Sequence, residues 1–366
     1  MILFLHNKYR TPGGEERVVQ ELRRIVTEQL GEPSQVLLRD SDELTGARAA
    51  AGMLRGGLSP EAIDGLIRAQ GARVVHAHNL LPAFGWRALA AARAAGARTV
   101  LSLHNYRLVC AVGTCIDSSG VDCTRCHGRD TAPGLLQNCR DGRAEAAVYA
   151  ASLALWQRRM IANADAVVVP SKAALHRLRE LGAPLPEEVA IIPHPVRRFA
   201  PRSFAHTGTY ALITSRLARE KDIATAIEAS RIAGIELVIA GGGPLAATLR
   251  EQAGAHVRFV GRVSDGELDG LRAGACVALS PSLAHETFGL AAVEAMAAGL
   301  PVVASDSGAL AELEAVELVP PADAVAMASA ISRVAGDRKA GDRAIAAARA
   351  LAAPERVAER LASVYR

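Results

Sequence analysis

Short apolar runs alternate along this chain with segments whose apolar residues recur at helical spacing. Four runs fall in the first half, at Ile2–Leu5, Arg73–His76, Thr99–Leu103 and Ala166–Val169. Five follow in the second half, at Tyr210–Thr214, Glu236–Ala240, Val257–Val260, Cys276–Leu279 and Pro301–Ala304. Helical patterns lie between them, as at Glu15–Leu30, Ala83–Ala95, Asp222–Ala233 and Leu290–Ala298. Buried strands that alternate with helices are typical of βαβ units, so the pattern predicts an α/β protein with two Rossmann-like, doubly wound sheets.

A proline-interrupted stretch separates the two series of strands. Neither a helix nor a central strand can continue through Ile192–Val196 or Phe199–Ser203. We therefore expect an N-terminal domain over residues 1–196 and a C-terminal domain over residues 203–350. Pro354 begins a last helical pattern, and residues 354–366 are expected to form a final helix that returns to the N-terminal domain.

Composition and charge exclude several classes of protein. The chain has 366 residues, 50% hydrophobic and 22% charged, which excludes a disordered or collagen-like chain. Its formal charge of +4 is too small for an obligate nucleic-acid binder. The longest apolar stretch, Ala146–Trp156, is too short to span a bilayer, and the first residues do not form a signal peptide. We expect a cytoplasmic protein with at most peripheral membrane contact.

A glycine pair follows the first predicted strand. Gly13 and Gly14 lie within Thr11–Glu15, where the backbone can approach a ligand and the free amides of a helix start can meet an anion. The alternative is an ordinary turn between strand and helix. Neither a Gly-x-Gly-x-x-Gly fingerprint nor a Walker motif occurs in the chain, which argues against dinucleotide oxidoreductases and P-loop enzymes.

Two basic residues follow the first strand of the second series. Arg216 and Lys221 lie just beyond Tyr210–Thr214, and Lys221 is one of only four lysines among 42 basic residues. Arginine can donate two hydrogen bonds to phosphate oxygens at once, and lysine supplies a compact positive charge. Folds of this kind bind ligands at the ends of their parallel strands. A solvated loop with charges is the alternative.

Two glutamates, Glu286 and Glu294, flank the start of a helix. The helix between them begins near Gly289 and Leu290, and eight helical residues rise about 12 Å. This is comparable to the span of a nucleoside diphosphate sugar from ribose to sugar. Helix amides between the two carboxylates could hold a diphosphate. The alternative, that Glu294 is an ordinary surface residue, is weakened by its apolar surroundings.

Together these motifs resemble the family 4 glycosyltransferases, retaining enzymes of the GT-B fold, in which two Rossmann-like domains face each other across a cleft. The resemblance covers nearly the whole chain, and the Glu286-x7-Glu294 motif is its most specific part. The other segments that carry it are Pro12–Glu15, Val75–Asn79, Leu103–Tyr106, Arg216 with Lys221, Gly241–Pro244, Phe259–Arg262 and Gly299–Val303.

The resemblance implies a role for each of these residues. Arg216 and Lys221 would bind the donor diphosphate, Glu294 the ribose and Glu286 the donor sugar. His104 would lie at the reacting end of the site, so that His104 and Glu286 are the candidate catalytic residues. Many relatives have Asp after this histidine, where this chain has Asn105. The remaining candidate donor-binding residues are Gly13, Gly14, Gly242, Arg262 near the base, and Phe288, Gly289 and Leu290 along the sugar and phosphates.

The implied function is transfer of a sugar from a UDP- or GDP-type donor to an acceptor hydroxyl, with retention of anomeric configuration. The acceptor would be a small molecule, a glycan or a lipid-linked molecule. The implied front-face mechanism requires no cofactor and no catalytic metal. Two alternatives share this architecture: a nucleotide-sugar epimerase, and an inactive protein that only binds nucleotide sugars.

Five of the six cysteines lie in a glycine-rich segment, residues 107–141. Four of them, Cys110, Cys123, Cys126 and Cys139, have a spacing suited to tetrahedral zinc, and Cys115 is an extra thiol. Some glycosyltransferases of this type carry a similar insertion. A structural zinc site is one interpretation, and disulfides or free thiols are the others.

Two further patterns are interpreted as structural. Asp40-Ser-Asp42 has the Asp-x-Asp spacing that binds a cation in another fold, but here we expect a solvated turn. His76 and His78 are expected on opposite faces of a strand, which would make them poor joint metal ligands.

Overall fold

The computed structural model describes residues 1–9, 13–117 and 119–366. It forms two compact units. Unit 1 contains Met1–Ser118, Cys123–Pro195 and Pro354–Arg366, and unit 2 contains Ser119–Asp122 and Val196–Ala353.

Unit 1 is built on a parallel six-stranded sheet with the order β2-β1-β3-β4-β5-β6. Its strands are β1 (Ile2–Lys8), β2 (Ser34–Asp40), β3 (Val74–Ala77), β4 (Arg98–Ser102), β5 (Ala166–Val169) and β6 (Ala190–Ile191). Its first helices are α1 (Gly14–Glu28), α2 (Gly46–Arg55), α3 (Pro60–Gln70), α4 (Gly85–Ala94), α5 (Ala132–Leu136), α6 (Arg143–Ala162) and α7 (Lys172–Glu180).

Unit 2 repeats the arrangement with a parallel sheet of order β12-β11-β10-β7-β8-β9. Its strands are β7 (Tyr210–Thr214), β8 (Glu236–Ala240), β9 (Val257–Gly261), β10 (Ala275–Ser280), β11 (Val302–Ser305) and β12 (Glu317–Val319). Its helices are α8 (Ile223–Ala233), α9 (Ala246–Gln252), α10 (Asp265–Gly274), α11 (Leu290–Ala297), α12 (Ala324–Val334) and α13 (Arg338–Ala352). The predicted α/β class with two parallel sheets is therefore confirmed.

Both faces of each sheet are covered, which explains why the central strands have continuous apolar runs. In β7, Leu212 belongs to one hydrophobic core, while its neighbours Ala211 and Ile213 belong to a second core. In β1, Ile2–Asn7 are all buried. Successive side chains of a strand point to opposite faces, so a strand covered on both sides must be apolar at consecutive positions.

A last helix, α14 (Pro354–Val364), belongs to unit 1 although it follows unit 2 in the chain. The residues at its end are tied to β3 and β4. The Tyr365 hydroxyl lies 2.7 Å from Nδ1 of His76, and Arg73 donates to the Tyr365 carbonyl at 2.8 Å. Arg98 donates to the Val364 carbonyl at 2.7 Å. Tyr365 is buried, so its ring is part of the unit 1 core.

Among the helices of the described residues, none combines the length and apolar character needed to cross a bilayer.

The backbone at the end of β8 requires glycine. Gly241 has φ 146°, and a Cβ placed there would lie 1.8 Å from the Ser215 carbonyl oxygen. We predict that Gly241→Ala lowers the free energy of unfolding by about 2 kcal/mol or more, since it adds both backbone strain and a clash.

A matched control is Gly270→Ala in α10, where an added Cβ meets no atom within 4 Å. Alanine favours a helix over glycine, so this variant should be neutral or more stable by about 0.5–1 kcal/mol. Denaturant unfolding of both variants measures the difference. Equal midpoints for the two would contradict the assignment of strain to Gly241.

Candidate active site

A polar cluster in unit 2 joins the loop after β7 to the loop after β10. Lys221 Nζ donates to Glu286 Oε1 at 2.5 Å, and Ser282 Oγ donates to the same oxygen at 2.8 Å. Burial on its own would raise the pKa of the Glu286 carboxyl, but the Lys221 ammonium and these hydrogen bonds lower it below its ordinary value. Glu286 is therefore ionised at neutral pH, and both of its oxygens can accept hydrogen bonds from hydroxyl groups.

Arg216 lies on the same β7 loop and is about half exposed. Its guanidinium donates to Glu220, whose backbone carbonyl accepts a hydrogen bond from the Leu283 amide and lies 3.2 Å from Ser282 Oγ. These contacts bind the β7 loop to the β10 loop. Both predicted phosphate-binding cations of this loop thus lie against carboxylates.

The start of α11 lies directly after Glu286. Gly289 caps the helix with φ 79°, a conformation that favours glycine, and a Cβ there would lie 2.6 Å from the Leu310 side chain. Phe288 is buried and Leu290 is the first helical residue. The predicted helix between the two glutamates is therefore present.

Glu294 projects from α11 and pairs with an arginine that sequence reasoning missed. Arg272 Nη2 on α10 donates to Glu294 Oε2 at 2.6 Å, and both side chains are about one-eighth exposed. This partnership satisfies the condition that a carboxylate among apolar neighbours needs a compensating charge. The sequence also did not predict the contact of Ser282 with Glu286. No motif distinguishes Arg272 or Ser282, because arginines in helices and serines in loops are common.

The glycine motif after β8 brings Arg262 towards the β7 loop. The Gly242 carbonyl accepts from the Leu217 amide at 3.0 Å, and a Cβ on Gly242 would lie 3.6 Å from the Arg262 side chain. Gly243 packs equally closely, since its Cβ would lie 2.4 Å from the Leu217 carbonyl oxygen. The glycines therefore allow the backbone after β8 to approach the backbone of the β7 loop closely.

In unit 1 the glycine pair forms the start of α1. Gly14 is the first helical residue, and the Gly13 amide donates to Glu16 Oε2 at 2.8 Å. Thr11 and Pro12 of the motif lie outside the described residues.

Asn105 is the centre of a polar network that includes Glu15 of α1. Its Nδ2 donates to Glu15 Oε1 at 2.7 Å and to the Tyr9 hydroxyl at 3.1 Å, and its Oδ1 accepts from the Arg107 amide at 2.9 Å. Burial raises the pKa of Glu15, while Arg107 and the Asn105 hydrogen bond oppose that rise. An aspartate could not donate to Glu15, which explains why asparagine suits this position.

His104 belongs to a group of buried histidines in unit 1. Its Nε2 lies 2.7 Å from Nδ1 of His78, and the two rings stack with their centroids 5.0 Å apart. The ring of His194 lies 5.1 Å from that of His104. Burial lowers the pKa of His104 to about 3, so the imidazole is neutral at physiological pH.

The expectation that His76 and His78 point to opposite faces of a strand is wrong. Their ring centroids lie 4.3 Å apart, because side chains alternate with a period of two and residues i and i+2 share a face. Both are buried, and His76 is held by Tyr365 and by Ser102 Oγ at 2.8 Å.

Asp40 and Asp42 form a turn at the end of β2. Lys8 Nζ donates to Asp40 Oδ2 at 2.7 Å, and the Asp42 amide donates to Asp40 Oδ1 at 2.9 Å. The first aspartate therefore already has a cationic partner.

The cysteines lie near one another without forming a metal site in the described part of the chain. Cys110 Sγ accepts from the Gly113 amide at 3.3 Å. A hydrogen bond from Cys115, with further backbone donors, lowers the pKa of the Cys110 thiol to about 6 despite its burial. Burial, reinforced by the neighbouring Cys110, Cys139 and Cys123, raises that of Cys126 to about 11. Across residues 1–9, 13–117 and 119–366, no group of three or more His, Cys, Asp or Glu side chains is arranged to hold a metal ion.

Two models of glycosyltransferase families match the sequence of this chain. A model of the glycosyl transferase 4-like domain matches residues 9–195, more than half of the chain. A second model, glycosyl transferases group 1, matches residues 208–337. The chain therefore belongs to the family 4, or group 1, glycosyltransferases.

Its curated relatives include mycobacterial mannosyltransferases. A GDP-mannose-dependent alpha-(1-6)-phosphatidylinositol dimannoside mannosyltransferase of Mycobacterium tuberculosis is 40% identical over 171 residues, 42% of this chain and 44% of that protein. A phosphatidyl-myo-inositol mannosyltransferase of Mycolicibacterium smegmatis is 43% identical over 115 residues, 30% of each chain. The chain thus spans less than half the length of these relatives.

Solved structures share the fold over the whole chain. Sucrose-phosphate synthase from Thermosynechococcus elongatus aligns with a TM-score of 0.73 at 20% identity, covering 100% of this chain and 98% of that one. HepE of Anabaena, solved in complex with UDP and glucose, aligns with a TM-score of 0.64 at 18% identity, covering 99% and 98%. The predicted GT-B fold class is thereby confirmed.

We predict that Asn105→Asp destabilises unit 1 at neutral pH by about 1.5–3 kcal/mol, because a second carboxylate replaces a hydrogen-bond donor beside Glu15. A carboxyl whose folded pKa is raised destabilises the fold above that pKa and ceases to do so when protonated. The stability deficit should therefore shrink as the pH falls from 8 to about 5. Denaturant unfolding at several pH values measures it.

The control is Asn105→Ala, which removes the same hydrogen bonds without adding charge. Its deficit should depend much less on pH. Parallel pH profiles for the two variants would show that charge repulsion at Glu15 is not the cause.

The zinc site stays a prediction of the cysteine spacing. We expect about one zinc per chain in protein purified without chelator, with the thiols of Cys110, Cys123, Cys126 and Cys139 protected from titration. Elemental analysis that finds no metal, together with freely titrating thiols, would exclude it.

Proposed function

We propose that this protein transfers a sugar from a nucleoside diphosphate sugar to an acceptor hydroxyl, with retention of anomeric configuration. The observation that carries the proposal is the cluster of Arg216, Lys221, Ser282 and Glu286 directly before the start of α11. It combines phosphate-binding cations with a buried, ionised carboxylate. Membership of a glycosyltransferase family supports the assignment.

In the proposed reaction the donor diphosphate is held by Arg216, Lys221 and the amides at Gly289 and Leu290. As the bond from the anomeric carbon to the phosphate oxygen breaks, negative charge accumulates on the diphosphate. These groups stabilise that charge, so the leaving group departs without a catalytic metal. The acceptor oxygen forms its bond to the anomeric carbon on the same face, and its proton passes to the departing phosphate oxygen.

The two glutamates are proposed to bind opposite ends of the donor. Glu286 would accept from hydroxyls of the transferred sugar and Glu294 from those of the ribose, with α11 supplying the separation between them. Arg272 would hold the Glu294 carboxylate in a fixed orientation, since it donates to one of the two oxygens.

For the donor and acceptor we propose GDP-mannose and an inositol-containing lipid as the first molecules to test. The support is the mycobacterial relative that is a GDP-mannose-dependent alpha-(1-6)-phosphatidylinositol dimannoside mannosyltransferase. A UDP-sugar is the second candidate donor, because HepE was solved with UDP and glucose.

A donor screen tests the proposal directly. Thermal shift with UDP-, GDP- and ADP-sugars, each with and without EDTA, should identify one base whose stabilisation is independent of the chelator. Product analysis with acceptor then separates the classes. Transfer that requires an acceptor supports the transferase. An altered sugar formed without acceptor would indicate an epimerase, and binding without turnover an inactive binder.

We predict that Glu294→Gln weakens the binding of nucleoside diphosphate and of donor alike, by about 1–3 kcal/mol for a lost charged hydrogen bond. Glu286→Gln should leave nucleoside diphosphate affinity nearly unchanged and lower kcat. An interaction with the transferred sugar strengthens in the transition state, whereas one with ribose does not. Calorimetry with the nucleoside diphosphate and steady-state rates measure both effects.

Glu228→Gln is the control, because this exposed glutamate pairs with Arg231 on its own helix. It should change neither quantity. Nucleotide affinity lost at Glu286 and retained at Glu294 would mean that the donor lies in the opposite direction.

A further inference from the structure

The loop that carries Glu286 packs against a short turn at the end of β11, residues 305–309, which we call the β11 turn. At the start of this turn, Ser305 Oγ accepts a hydrogen bond from the Ser282 amide at 3.0 Å, and both serines are fully buried. Ser282 is the residue whose hydroxyl donates to the Glu286 carboxylate at 2.8 Å. The β11 turn therefore fixes the position of a group that holds this carboxylate.

The rest of the β11 turn contacts the backbone of the same loop. The Ala309 amide donates to the Glu286 carbonyl at 2.8 Å, and Ser307 Oγ donates to the Ala284 carbonyl at 2.8 Å. Residues 282, 284 and 286 are thus each tied to the turn by a hydrogen bond. These bonds hold the backbone that leads to Glu286 in one place.

Gly308 lies where the turn and the loop approach each other closely. Its φ is 57°, and a Cβ placed there would lie 2.4 Å from both the amide nitrogen and the carbonyl oxygen of Glu286. It would also lie 2.7 Å from the His285 carbonyl carbon. These are backbone atoms, which cannot rotate away as the end of a long side chain can. A larger residue at this position must therefore push the backbone of Glu286 away.

We propose that the β11 turn is a positioning element for Glu286, with Gly308 and Ser307 as its positioning residues. The turn places the backbone, while Lys221 and Ser282 hold the end of the side chain. The proposal rests on the proposed function in one respect, which is that Glu286 meets the transferred sugar. The placement of the carboxylate itself does not depend on any activity.

Crystal structures of the intact chain and of Gly308→Ala, both without ligand, test this placement. We expect the Glu286 carboxylate of the variant to move out of hydrogen-bond distance of Lys221 Nζ or of Ser282 Oγ. A carboxylate that stays in place would overturn the proposal, whatever the enzymatic activity.

Kinetics with the donor that the thermal-shift screen identifies test the consequence for transfer. In Gly308→Ala, kcat should fall by roughly 10- to 100-fold, because a small displacement of a group that acts on the transferred sugar is costly. The affinity for GDP or UDP, measured by calorimetry, should stay nearly unchanged.

These measurements separate the two proposals. A displaced carboxylate with unchanged kcat would overturn the role of Glu286 in transfer, and with it the functional part of the present proposal. If no donor is turned over, the proposed function fails, and the two crystal structures still decide whether the β11 turn places Glu286.

Gly208→Ala is the matched control for loss of stability. A Cβ on Gly208 would lie 2.2 Å from the carbonyl carbon and oxygen of Ala275, a similarly close backbone contact at the opposite end of β10 from Glu286. Both variants should have a lower melting temperature, but only Gly308→Ala should lose kcat at a temperature where both are folded. An equal loss of kcat in the two would show general loosening of unit 2 and overturn the assignment to the β11 turn.

Ser307 provides a test that adds no clash to the fold. Ser307→Ala removes the hydrogen bond to the Ala284 carbonyl, whereas Ser307→Thr keeps a hydroxyl at that position. We expect kcat to fall by roughly 3- to 10-fold in the alanine variant and to be largely retained in the threonine variant. Equal kcat for Ser307→Ala and the intact chain would overturn the role given to Ser307.

Discussion

The constraint on which this structure depends is that both faces of its parallel sheets are covered. A strand buried on two sides has no room for charged side chains, so these lie on the helices and in the loops at strand ends. The candidate residues follow this rule in both units. Tyr9 follows β1, His78 follows β3, His104 follows β4, Arg216 follows β7 and Glu286 follows β10.

A second constraint follows from the first. Groups at the ends of buried strands are themselves partly buried, and each needs a partner. Lys221 lies against Glu286, Arg272 against Glu294, and Asn105 between Glu15 and Tyr9. These pairs hold the side chains in fixed positions before any ligand arrives, which reduces the ordering that binding must impose.

The central strands could be predicted from the sequence because each is a short, nearly continuous apolar run. The apolar runs did not include β2, β6 and β12, and all three lie at sheet edges. β2 has the sequence Ser-Gln-Val-Leu-Leu-Arg-Asp and is at most half-buried, while β6 and β12 have two and three residues. An edge strand buries less surface, so its pattern resembles that of a loop.

The candidate site was predictable where a residue type and a spacing coincide, as at Glu286 and Glu294. Arg272, Ser282 and His78 could not be assigned their contacts in this way, since each depends on elements that are distant in the chain. The prediction for His76 and His78 was wrong for a simpler reason, because residues two apart in a strand point to the same face.

The position of α14 has a consequence for the synthesis of the protein. Residues 1–195 leave the ribosome first, yet the core of unit 1 also needs Tyr365, whose hydroxyl reaches His76. All of unit 2 is translated before that tyrosine. The first half of the chain therefore lacks this hydrogen-bond partner of His76 until residues 354–366 have been translated.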